Sequence, residues 1–115
     1  MLLGINNRVH LAEAEAALRK RINHALMLSG VTIEDPDTAY IGPQVVIGQD
    51  TLIRPNTILK GKTTIGKRCI VGPNTIIQDT TLGDDCTILC SVLEQALLEN
   101  HVEICLLYTS DAADE

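Results

Sequence analysis

Between Ile41 and Ile77 an aliphatic residue returns every six positions, at Ile41, Ile47, Ile53, Leu59, Ile65, Val71 and Ile77. An amphipathic helix repeats near 3.6 residues and a half-buried strand near 2, so neither produces this pattern. A fixed longer period marks a solenoid, in which each repeat buries its apolar side only against its neighbours. With the aliphatic position written as i, Gly follows at i+1 in Gly42, Gly48, Gly66 and Gly72. Pro43, Pro55 and Pro73 all fall at i+2, and Val45, Thr51, Thr57, Thr63, Cys69, Thr75 and Thr81 at i+4. Proline suits a corner that needs no ladder bond, and glycine is expected to supply a backbone conformation there that a Cβ would strain.

The spacing predicts short strands that each send one aliphatic side chain inward. Three hexads, about eighteen residues, complete one triangular coil, and the next coil stacks on it at strand spacing. Ile41, Leu59 and Ile77 should then form one column, Ile47 and Ile65 a second, Ile53 and Val71 a third. The period slips by one residue between Ile77 and Leu82, resumes to Ile88, and slips again through Leu93, Leu98 and Ile104.

A different pattern precedes the hexads. Leu11, Ala14, Leu18, Ile22 and Leu26 recur at three- and four-residue steps among Ala, Glu, Arg and Lys, which favours helix. The helix is expected from Val9 to about Leu28, with Asn6 or Asn7 as its cap and Gly30 as its stop. After Ile104 the pattern ends abruptly in CLLYTSDAADE. This segment reads as a translated sequencing adapter (codons TGT CTC TTA TAC ACA TCT), so residues 105–115 are expected to be foreign.

Composition adds limits. The chain has 115 residues, no Phe and no Trp, and Tyr40 and Tyr108 as its aromatic residues, so its core must be thin and aliphatic. A net charge of −6 argues against a nucleic-acid partner. No apolar run reaches the length of a membrane span, and Met1-Leu2-Leu3 is too short for a signal peptide. The expected compartment is the cytoplasm, with the four cysteines as thiols. Cys86 and Cys90 form a C-x3-C pair with no second pair or histidine at zinc spacing. His10 and His24 fall on the helix, and His101 reads as a surface coil residue.

The order of segments is specific. GINNR-x-x-L-A-x-A-E (Gly4–Glu15), R-x-R-I-N (Arg19–Asn23) and GVTIEDPDTAYIG (Gly30–Gly42), followed by hexads, resemble the bacterial family of bifunctional N-acetylglucosamine-1-phosphate uridylyltransferase/glucosamine-1-phosphate N-acetyltransferases. The resemblance covers residues 3–104. It implies a mostly β fold, with an N-terminal linker α-helix leading into a truncated left-handed parallel β-helix of about four coils. The hand comes from the resemblance, since general connection rules favour right-handed crossovers.

The same resemblance implies that residues 1–8 end a nucleotidyltransferase domain, 9–29 form the linker helix, and 30–104 begin the acetyltransferase domain. It further implies acetyl transfer from acetyl-CoA to glucosamine 1-phosphate, then uridylyl transfer from UTP. The product, UDP-N-acetylglucosamine, feeds peptidoglycan and lipopolysaccharide synthesis. Mg²⁺ and a homotrimer built through the β-helix are implied as well. Asn6 matches a family residue that binds UDP-N-acetylglucosamine and Mg²⁺ beside an aspartate expected upstream. That aspartate, the Gly-rich phosphate loop and the catalytic histidine of later coils have no match here, so the chain alone is expected to be inactive. Two other readings are a different sugar-1-phosphate nucleotidylyltransferase with a β-helical tail, and a non-catalytic β-solenoid.

Overall fold

The computed structural model describes residues 7–109. Helix α1 spans Arg8–Leu28. Its cap is Asn7, whose side-chain oxygen accepts from the His10 backbone N–H at 2.9 Å, satisfying a donor that the first turn leaves free. Gly30 closes the other end at φ +104°, and a Cβ there would lie 2.8 Å from Gln49 Cγ.

From Thr32 onward the chain is a mostly β, three-sided parallel solenoid of about four turns, as a left-handed β-helix requires. Its first face stacks Thr32–Ile33, Leu52–Ile53, Ile70–Val71, Thr87–Leu89 and Glu103–Cys105. The second face stacks Ala39–Ile41, Thr57–Lys60, Thr75–Gln78, Val92–Glu94 and Tyr108–Thr109. The third stacks Val46–Ile47, Thr64–Ile65, Thr81–Leu82 and Leu97–Leu98.

Register pairs every expected column. Ile41 sits opposite Leu59, Leu59 opposite Ile77, and Ile77 opposite Leu93. Ile47, Ile65, Leu82 and Leu98 form the second column. Ile33, Ile53, Val71, Ile88 and Ile104 form the third. From Ile53 to Leu93 these side chains are buried almost completely. Coil hydrogen bonding also runs past Ile104: Val92 N–H donates to Leu107 O at 2.7 Å, and Tyr108 pairs with Val92.

The corners differ from the sequence expectation in two ways. The left-handed backbone is not at the i+1 glycines, of which only Gly72 has positive φ, +102°. It falls on Asp50, Asn56, Arg68, Asn74, Asp79 and Asp85, each three residues before the next inward aliphatic. Gly48 and Gly66 are instead required by stacking. A Cβ on Gly48 would lie 2.7 Å from Gly66 C, and one on Gly66 2.6 Å from Gly83 C. Neighbouring coils touch backbone to backbone at this corner.

The buried small residue is likewise fixed by the next aliphatic, two positions before it, rather than by the previous one. Across the five-residue step this makes Thr80 the inward residue and leaves Thr81 exposed. These buried hydroxyls are relays. Thr80 Oγ1 donates to Gln78 O at 2.9 Å and accepts from Ala96 N–H at 3.2 Å. Thr51, Thr63, Thr75 and Ser91 do the same, each accepting an N–H from the coil above. The strand ladder is interrupted at a corner, so without the hydroxyl that buried N–H would be unpaired.

Helix α1 docks across the first coil by the C-terminal half of its stripe. Ile22 and Leu26 pack on the core, whereas Leu11 and Leu18 stay about half exposed. Between them lies Asn23, fully buried, whose Nδ2 donates to Pro36 O at 3.1 Å and Ala39 O at 3.2 Å.

Thr80→Val should destabilise the chain by about 1–2 kcal/mol, because Ala96 N–H loses its acceptor, while Thr81→Val stays within about 0.5 kcal/mol. Urea melts of the two variants check this, and equal effects would place the corner wrongly. Asn23→Asp should cost more than Asn23→Ala, since the carboxylate turns two carbonyl partners repulsive. Hydrogen exchange in α1 reads out the undocking.

Candidate functional site

The junction of α1 with the first coils gathers the polar chemistry of the chain. The Arg19 guanidinium lies 4.3 Å from the Tyr40 ring centroid, a cation–π contact that ties the helix to the second face. Glu15, Leu18, Arg19, Tyr40, Pro43 and Ile58 line an open groove of about 270 Å³ beside it. On the adjoining side of the helix, past Arg19, a cleft of about 380 Å³ lies between α1 and the short 3-10 turn Pro36–Thr38. Asn23 is among its lining residues, and its Oδ1 is buried with no hydrogen-bond partner among the described residues. The turn is set by Asp35, whose carboxylate accepts from Asp37 N–H at 3.2 Å and Thr38 Oγ1 at 3.1 Å.

Asn23 is the residue that sequence reasoning passed over. It stood in the Arg19–Asn23 motif only as a mark of resemblance. The available signal was a lone amide beside Ile22 and one turn before Leu26, on the stripe that docks.

The second face carries an outward apolar ladder. Tyr40, Ile58, Ile76 and Val92 are register partners on successive coils, and with Asn56 and Asn74 they border a shallow depression of about 300 Å³. Thr32, Thr87 and Glu103 interrupt the first face, and Thr64 and Thr81 the third. Along one corner Arg68 makes a two-pronged pair with Asp85, at 2.8 and 3.1 Å. That hydrogen bond, reinforced by charge, holds the Asp85 carboxyl below its usual range and raises Arg68 further. Both lie at the surface, where such pairs contribute little to stability.

Of the residues singled out from sequence, Asn6 lies outside the described residues. His24 is exposed on α1, and His101 occupies a left-handed corner at φ 63°. Cys69, Cys86, Cys90 and Cys105 are free. Cys69 and Cys86 replace corner hydroxyls, donating to Gly83 O at 3.2 Å and Glu99 O at 3.1 Å, and burial pushes the Cys69 thiol up. Among the described residues no group of three or more His, Cys, Asp or Glu is placed to hold a metal ion, and no helix is long and apolar enough to cross a membrane.

Known proteins are similar to this chain in sequence. Residues 44–79 match the bacterial transferase hexapeptide (six repeats) family. The chain is 48% identical over 103 residues to the Bifunctional protein GlmU of Thermoanaerobacter pseudethanolicus, covering 90% of this chain and 22% of that protein. It is 46% identical over 101 residues to that of Fervidobacterium nodosum, covering 88% and 22%. Over 55 residues it is 58% identical to that of Shouchella clausii, covering 48% of this chain and 12% of that protein. The chain thus spans about a fifth of the length of the curated relatives it matches. The repeat, the coil register and these relatives agree: the chain corresponds to the hexapeptide region of bifunctional GlmU proteins.

Proposed function

We propose that this chain is the linker helix and opening coils of a bifunctional enzyme that makes UDP-N-acetylglucosamine in the cytoplasm. The parent reactions are acetyl transfer from acetyl-CoA to glucosamine 1-phosphate and uridylyl transfer from UTP, which supply peptidoglycan and lipopolysaccharide precursors. The observation that carries this reading is the docked α1 leading straight into in-register hexapeptide coils, in a chain similar to GlmU proteins over 90% of its length. In this reading α1 holds the nucleotidyltransferase end (residues 1–8) at a fixed position against the acetyltransferase coils. The docking through Asn23, Ile22 and Leu26 supports that role. Residues 105–115 are foreign in origin in the same reading.

Asn6 alone does not make a magnesium site. Mg²⁺ takes oxygen ligands in octahedral array, chiefly carboxylate and phosphate, and one amide oxygen supplies neither charge nor number. The outward ladder of Tyr40, Ile58, Ile76 and Val92 supports assembly of the parent as a homotrimer, since an apolar stripe four coils tall is stabilised by a covering copy.

The purified chain is expected to show neither pyrophosphate release from UTP with N-acetylglucosamine 1-phosphate nor thiol release from acetyl-CoA with glucosamine 1-phosphate. Turnover in either coupled assay would defeat the reading. In sedimentation, the chain should self-associate, and Ile58→Lys with Ile76→Lys should shift it towards monomer. A wild-type chain that stays monomeric at tens of micromolar would remove the assembly role of the ladder.

A further inference from the structure

We draw no further inference here: the strongest candidate, the open apolar groove between α1 and the second face of the first two coils, lined by Leu18, Ile22, Tyr40, Pro43 and Ile58, shares Tyr40 and Ile58 with the outward ladder already proposed as the assembly surface, and nothing in the structure shows what covers the rest of it.

Discussion

The structure rests on the in-register parallel stacking of one coil on the next. Each inward aliphatic lies over its equivalent one coil below, so a column such as Ile41, Leu59, Ile77 and Leu93 is buried along its whole height by copies of the same position. No thick core is needed, which is why a chain without Phe or Trp can close itself from water. The constraint is demanding. A coil may be shortened only where no strand has to slide, because a one-residue shift within a strand would turn its inward side chain to solvent.

The five-residue steps obey that constraint. Between Ile77 and Leu82 the missing residue is taken from the corner, and Leu82 still meets Ile65 and Leu98. What stays constant through each five-residue step is the approach to the next strand: a left-handed residue (Asp79, Cys90 and Gln95), then a small buried one (Thr80, Ser91 and Ala96), then the outward and inward pair. Asp79 and Thr80 fill the first two places just as Asn74 and Thr75 do in a six-residue step. At Thr51, Thr63, Thr75, Thr80 and Ser91 the small residue also carries a hydroxyl that accepts the N–H above it. Threonine is therefore a hydrogen-bonding choice here and not merely a β-branched one.

The columns were legible in the sequence because burial repeats with the period, and six identical spacings leave little freedom. The corner phase was less legible. Counting forwards from the preceding aliphatic assigns Thr81, counting backwards from the following one assigns Thr80, and the two agree until a step is shortened. The i+1 glycines were visible, but their cause was not. Contact between Gly48 and Gly66 spans eighteen residues of sequence and exists only once coils stack. The helix was legible as a helix and not as a docked one, since nothing in the stripe distinguishes Ile22 and Leu26, which pack, from Leu11 and Leu18, which do not. As for the candidate site, Asn23 is a polar residue beside an apolar stripe, and its two acceptors, one in a turn and one at the start of the next strand, lie more than a dozen residues away.

Docking α1 by half its length has a structural consequence at the end of the solenoid. A stacked coil needs a neighbour on each side, and the first coil has none below it. Helix α1 supplies part of that cover: Ile22 and Leu26 lie against the core, and Asn23 ties off one carbonyl of the Pro36–Thr38 turn and one at the start of the strand that follows it. An all-apolar contact could slide along the coil, because aliphatic surfaces are alike in every direction. Two hydrogen bonds from one buried amide cannot, so Asn23 fixes the azimuth and rise of the helix as well as its attachment. The unpaired Oδ1 is the complement of that arrangement. An amide that spends both donors on backbone carbonyls must turn its acceptor away from them, and there Oδ1 is enclosed with no partner among the described residues.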